Sequence, residues 1–251
     1  LCLILFAYHA HKKFKLIVAA NRDEFYNRPT EPVHYWEDHP HILAGRDLLK
    51  MGTWMGITTT GRFAFLTNYR NPQEITEGQR SRGELVADFL KKEETPGSYM
   101  NEAAKKRHLY PGYNLLAGDT EELYYYSNIE NKVQQLEKGI FGVSNHLLNS
   151  EWPKVKAGKE ELSWIVDRND DSIIDQLLAL LRRDDPVSDE MLPKTGVTLE
   201  WERILSPIFI ASDRYGTRSS SVLLMSDEEM IFTERVYSKD GLNDQQYKIK
   251  L

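Results

Sequence analysis

Cys2 is the only cysteine in the chain, and it stands at the second position. If the residue in front of it is removed, it bears both a thiol and a free α-amine, whose reference pKa is near ~8. One residue then supplies nucleophile and base, the N-terminal-amine variant of triad chemistry. The plainer reading is a small buried strand residue, which is common for free cysteine. The second group is Ala20-Asn21-Arg22-Asp23-Glu24, where polar side chains appear abruptly after an apolar run. A carboxylate at Asp23 can orient an α-amine, and a guanidinium at Arg22 can lower a thiol pKa. A salt bridge at a strand end is the alternative. Asn68 and Asn145 follow two further apolar runs, and their amides can form an oxyanion hole, although asparagine also favours turns. Late in the chain, Asp213-Arg214-Tyr215-Gly216-Thr217-Arg218 ends in an arginine suited to binding a carboxylate or polarising a carbonyl, or simply to a surface ion pair.

These residues need elements that bring them together. Leu1 to Tyr8 and Phe14 to Ala20 read as two strands joined by the polar turn His9 to Lys13. Hairpin pairing returns the end of the second strand to the start of the first, so Arg22 and Asp23 are expected beside Cys2. Asn21 to His41 reads as loop, because Pro29, Pro32 and Pro40 punctuate it. Trp54 to Thr59 and Arg62 to Asn68 form a second hairpin around Thr60-Gly61. Ser81 to Lys92 carries helix signals, with Glu84 three residues after Ser81 and Leu85, Val86, Phe89 and Leu90 on one face. Tyr113 to Ala117, Glu122 to Asn128 and Ile140 to Ser144 read as strands, then Glu151 to Val166 and Ser172 to Arg183 as amphipathic helices. Asp184 to Gly196 is a long polar loop. Ile208 to Ile210, Ser219 to Met225 and Glu229 to Tyr237 complete the strands. Helices are clustered rather than alternating with strands, which fits antiparallel sheets and not a doubly wound parallel one. No repeat, low-complexity tract or linker divides the chain, so residues 1–251 read as one α+β domain.

Composition removes several classes. The 251 residues carry 32 basic and 38 acidic side chains, a formal charge of −6, which argues against a nucleic-acid partner. One cysteine cannot make an internal disulfide, so a secreted disulfide scaffold is excluded. The apolar run at the start has seven residues, where a membrane span needs about twenty, and its basic residues follow it instead of preceding it. A cytoplasmic protein with no membrane span and a small-molecule substrate or ligand is expected. There is no Gly-rich phosphate loop, G-x-S-x-G elbow, H-E-x-x-H or C-x-x-C. His34, His39 and His41 lack a carboxylate at ligand spacing or a second cysteine, so no metal site is expected. Tyr124-Tyr125-Tyr126 suits a half-buried strand with alternate rings facing core and solvent.

Together, Cys2-Leu3-Ile4, the Ala20-to-Glu24 box, Thr67-Asn68-Tyr69-Arg70, Gly142-Val143-Ser144-Asn145 and Tyr215-Gly216-Thr217-Arg218-Ser219 resemble the NRDE family. That family includes the transport and Golgi organisation proteins of eukaryotes. More distantly, the pattern is similar to the choloylglycine hydrolase and penicillin V acylase group of N-terminal nucleophile hydrolases. The resemblance implies a four-layer αββα fold with two antiparallel sheets. It also implies Cys2 as nucleophile, Asp23 on the α-amine, Asn68 and Asn145 at the oxyanion, and Arg218 near the late arginine of the group. In the acylases an arginine stands three residues before the aspartate; here that position is Ala20, and the arginine is Arg22. Neighbouring strand residues face opposite ways, so Arg22 reaches the thiol only if the second strand has ended. Leucine is not normally trimmed, so the amine serves as base only where Leu1 is absent.

The implied activity is hydrolysis of a non-peptide linear amide, without a cofactor. The alternative is a non-catalytic protein that binds and transfers haem or acyl-coenzyme A and lipid, with His9, His11 or a loop histidine as haem ligand. A third expectation is a regulatory protein that kept the fold after losing catalysis.

Overall fold

The apolar runs at the start of the chain pair as an antiparallel hairpin of β1 (Cys2–Tyr8) and β2 (Leu16–Phe25), and every residue of β1 is buried. The computed structural model describes residues 2–251 apart from 75, 169 and 240; Leu1, on which the freedom of the amine turns, lies outside the described residues. In the turn, His9 takes a φ of 49° and the His11 Nδ1 accepts the N–H groups of Lys13 and Phe14 at 3.1 and 3.2 Å. That nitrogen therefore shapes the turn.

The stretch expected as loop after Ala20 is largely strand. β2 continues through Phe25, and β3 (Thr30–Tyr35) follows as an edge strand whose register breaks between Glu31 and His34, where Pro32 falls. Next come β4 (Ile42–Asp47), β5 (Met55–Thr58) and β6 (Phe63–Asn68). Helices α1 (Gly83–Lys91) and α2 (Pro96–Lys105) follow, the second started by Thr95, whose side-chain oxygen accepts the Ser98 N–H. Four strands come next: β7 (Tyr113–Gly118), β8 (Leu123–Ser127), β9 (Lys132–Gln135) and β10 (Gly139–Val143). Helices α3 (Pro153–Arg168), α4 (Ile173–Leu181) and α5 (Leu199–Leu205) lead into β11 (Tyr215–Met225), β12 (Glu229–Ser238) and β13 (Gly241–Lys250). The expected strand Ile208–Ile210 is irregular instead; its Phe209 N–H donates to the Arg183 carbonyl at 2.7 Å.

The elements gather into two compact units. The first takes in the chain through Asn27 together with Lys138–Ile249, so both ends of the sequence build one sheet, ordered β10-β1-β2-β11-β12-β13. Leu3, Leu5, Ala7, Ile17 and Ala19 face helices α3 and α4 and form a core with Leu162, Ile165, Leu177 and Leu181. Helix α3 lies close on the sheet because Gly158 carries no side chain: a Cβ there would stand 2.6 Å from Leu5 Cδ1.

The second unit, Arg28–Glu137 with the last two residues, holds the sheet β3-β4-β5-β6-β7-β8-β9, with α1 and α2 packed on strands β4 to β9. Its core includes Trp36, Val86, Phe89, Met100, Tyr113 and Tyr126. The core-and-solvent alternation expected of the tyrosine run does not hold. Tyr125 and Tyr126 are both buried and only Tyr124 is half-exposed, the Tyr125 hydroxyl donating to Asn114 Oδ1 at 2.7 Å. His41 Nε2 lies 3.3 Å from the Leu90 carbonyl and His34 Nδ1 2.8 Å from the Pro32 carbonyl. Among the described residues, no helix is long and apolar enough to cross a membrane, and no three histidine, cysteine or acidic side chains converge as metal ligands.

Candidate active site

Cys2 is the first residue of an interior strand, and its surroundings follow from register. β1 pairs with β2 so that Cys2 stands opposite Arg22 and Leu3 opposite Asn21. Directly opposed residues of an antiparallel pair share a face, so Arg22 lies on the same face as the thiol while still within the strand. The expectation that β2 must end first is thereby corrected: alternation holds along one strand, whereas the pairing partner matches. Arg22 is 8% exposed and Cys2 is buried. Asp23, one residue on, turns to the opposite face, the one α3 and α4 cover.

On the other flank, β10 pairs Val143 with Ile4, and the chain then runs on past Leu3 and Cys2 as Ser144 and Asn145. Both are fully buried, and Ser144 Oγ donates to the Cys2 carbonyl at 2.9 Å. Asn145 is thus carried to the side of Cys2 with an amide that can donate to a developing oxyanion. β11 closes the cluster beside β2, pairing Thr217 with Asp23 and Ser219 with Arg22, and its register shifts between those two residues. Arg218 stands at that irregularity and donates from Nη1 to the Phe25 carbonyl at 3.0 Å. Asn68 ends β6 opposite Tyr113 and belongs to the other unit. Of the expected residues, then, Cys2, Arg22, Asp23, Asn145 and Arg218 meet at one end of a single sheet.

The charges there pull in different directions. Burial pushes the Cys2 thiol up, and the Asp23 carboxylate adds to that, while the Arg22 guanidinium and the Asp23 backbone N–H favour the thiolate. Burial also pushes the Asp23 carboxyl up; the Lys154 ammonium, the hydrogen bond from Thr217 and the Arg22 charge act against it. Arg218 is drawn down by burial and then by the like charge of Arg22, so two guanidiniums sense each other at this strand end.

Three participants escaped the sequence reading. Thr217 donates from Oγ1 to Asp23 Oδ1 at 2.8 Å, and Ser144 fixes the carbonyl of Cys2; both fall inside quoted motifs, where only their neighbours drew notice. Lys154 stands in the first turn of α3 and is 4% exposed. Nothing in its spacing separates it from a solvated helical lysine.

Comparison with known proteins bears on the family and the fold. The family model of Transport and Golgi organisation 2 matches residues 1–239. The Transport and Golgi organization protein 2 homolog of Bos taurus is 35% identical, over 94% of this chain and 92% of its own length. The homolog of Homo sapiens is 34% identical over the same shares, and the protein of Drosophila melanogaster 28% identical over 93% of this chain and 91% of its own. Among solved structures, the Caenorhabditis elegans ortholog of N-acylethanolamine-hydrolyzing acid amidase superposes with a TM-score of 0.52 at 11% identity, covering 89% of this chain and 92% of that one. A mutant of the conjugated bile acid hydrolase from Clostridium perfringens gives 0.50 at 9% identity, covering 100% and 96%. At such identities the likeness speaks to the fold, and it bears out an α+β architecture with two antiparallel sheets. With the family model spanning nearly all of its length, the chain belongs to the Transport and Golgi organisation 2 family.

Proposed function

We propose that this protein is an N-terminal-nucleophile-type cysteine hydrolase of a non-peptide linear amide. The observation that carries the reading is the register of β1 between β2 and β10, which gathers Arg22, Asp23 and Asn145 around Cys2. In a chain that begins at Cys2, the α-amine accepts the thiol proton as sulfur attacks the amide carbon. The C=O electron pair moves onto oxygen, where the Asn145 amide donates to it. As the tetrahedral adduct collapses, the C–N bond breaks and the α-ammonium returns its proton to the departing amine. A water then loses a proton to the α-amine and attacks the thioester; the C–S bond breaks, releasing acid and thiol. Asp23 holds the amine in place, and Arg22, on the thiol's own face, favours the thiolate. Arg218 meets negative charge on the substrate or in the adduct.

The linear-amide class is supported by the names of the two structural neighbours, an ortholog of an N-acylethanolamine-hydrolyzing acid amidase and a mutant of a conjugated bile acid hydrolase. The test is turnover of a panel of N-acyl amides by the chain starting at Cys2, with Cys2→Ala beside it. Wild-type hydrolysis that disappears in Cys2→Ala is expected, with Asn145→Ala down by roughly a hundredfold, the value of one oxyanion donor. Equal activity in Cys2→Ala and wild type would contradict the mechanism.

A further inference from the structure

Lys154 is a buried cation for which the mechanism above has no use. Long charged side chains are almost never fully buried unless paired, and this one sits in the first turn of α3, on the helix-covered face of the first unit's sheet. Its Nζ donates to the Leu205 carbonyl at 2.9 Å. That carbonyl closes α5 and opens a short segment, Leu205 to Ile210, two of whose other backbone groups bond at the end of β2 and at Thr217 beside it. The Ile208 carbonyl accepts from Asn21 Nδ2 at 2.9 Å. The Ile210 N–H donates to Thr217 Oγ1 at 2.9 Å, and that hydroxyl donates in turn to Asp23 Oδ1. One six-residue segment therefore ties Lys154, Asn21 and the Thr217–Asp23 pair to the same face at the same strand end.

We infer that Lys154 is a positioning residue whose charge keeps the buried Asp23 carboxylate ionised. The inference rests on the hydrolase reading for its consequence, since only an ionised Asp23 can hold the ammonium form of the Cys2 amine. The groups that act on Asp23 are Lys154 from α3, the α-ammonium at the start of the chain, the Thr217 hydroxyl from β11 and, across the sheet, the Arg22 guanidinium of β2 itself. Arg22 is turned to the other face and Thr217 is neutral. Of the side-chain charges, Lys154 is thus the one that shares the carboxylate's side of the sheet, and it is the group that acts most strongly against burial.

Lys154→Gln separates this part from a merely structural one, because glutamine removes the charge while keeping a polar N–H donor, and Lys154→Arg keeps both. Infrared spectroscopy reads the C=O band of a protonated buried carboxyl, with Asp23→Asn supplying the assignment and the melting temperature reporting the fold. Asp23 should stay protonated to a higher pH in Lys154→Gln than in wild type, and Lys154→Arg should move the band back. The acid limb of Cys2-dependent hydrolysis should rise in parallel, with kcat at neutral pH falling roughly tenfold for each pKa unit by which Asp23 is raised above the working pH. An Asp23 band that disappears at the same pH in wild type and Lys154→Gln would overturn the inference, even with hydrolysis intact. A shifted band without hydrolysis in any variant would leave Lys154 in its place and overturn the hydrolase reading instead.

Discussion

Asn21 shows how position within a motif misleads about the part a residue plays. It lies between Ala20 and Arg22, yet its side chain is turned away from Cys2 and spent on structure. Its amide donates to the Leu181 carbonyl at 2.8 Å and the Ile208 carbonyl at 2.9 Å, and its Oδ1 accepts from Ser220 Oγ at 2.6 Å. Asn21→Leu, of similar size, strips three buried polar groups of a partner and should lower stability by about 2–4 kcal/mol. Urea denaturation measures it; a loss under 0.5 kcal/mol, roughly the surface-substitution range, would contradict this role. Asparagine next to arginine and aspartate reads as chemistry in a sequence, because nothing local tells which face each residue takes. Cys2, Asp23, Asn145 and Arg218 were legible as candidates for the reason that each interrupts or borders an apolar run. Lys154 was not, since its burial is decided by a segment about fifty residues further on.

At the level of elements, β2 and β11 do the positioning, and each contains a feature that local pattern hides. β2 carries Asn21, Arg22 and Asp23 buried in a strand, so the start of the stretch expected as loop from its prolines holds the site itself. In β11 the approach to Asp23 depends on Gly216, where a Cβ would stand 2.6 Å from the backbone oxygen of Ile210 and collide with the Tyr26 hydroxyl. Gly216→Ala should cost about 1–3 kcal/mol as an overpacking change and should displace Thr217 from Asp23. Thermal melting tests the first effect; an unchanged melting temperature would contradict the close approach.

In the other unit, Asp47 ends β4 and accepts from Arg28 Nε at 2.6 Å and from the Leu49 and Lys50 N–H groups at 3.0 and 2.9 Å. Burial pushes its carboxyl up, but these donors outweigh burial and hold it below the usual range. A depressed carboxylate stabilises fully above its unfolded value, near ~4, and the contribution is lost as pH falls through the folded value. Asp47→Ala should therefore cost about 1–2 kcal/mol at neutral pH, and the gap from wild type should close on acidification below that range. Denaturation at several pH values checks the sign. Helices α2 and α5 were passed over because their apolar faces are short, although Thr95-Pro96 and Thr198 are legible helix starts. The strand β13 is exposed along most of its length and offers no alternation to read.

For the molecule as a whole, the arrangement that matters is that the opening hairpin β1–β2 shares one sheet with β10 and the last three strands. β1 and β2 are interior strands, flanked by β10 and β11, so removing residues 2–25 would unpair both neighbours and expose two edges. That deletion should abolish the cooperative unfolding of the first unit, read as loss of near-ultraviolet circular dichroism; a retained native spectrum would contradict the central place of the hairpin. The same topology explains why the family resemblance had to draw on motifs from residue 2 to residue 219: the cluster is assembled from the start, the middle and the late part of the sequence. Strand identities and the hairpin were legible from apolar runs, whereas the order of strands in each sheet rests on pairings far apart in the chain. The most direct test of the account is to trap the acyl-enzyme. A chain beginning at Cys2 is mixed with a reactive N-acyl amide, quenched in acid and analysed by peptide mass spectrometry. The account predicts an acyl group in thioester linkage on Cys2, formed and lost during turnover and absent from Asp23→Asn. Turnover with Cys2 unmodified at every time point, or an acyl group on another residue, would contradict it.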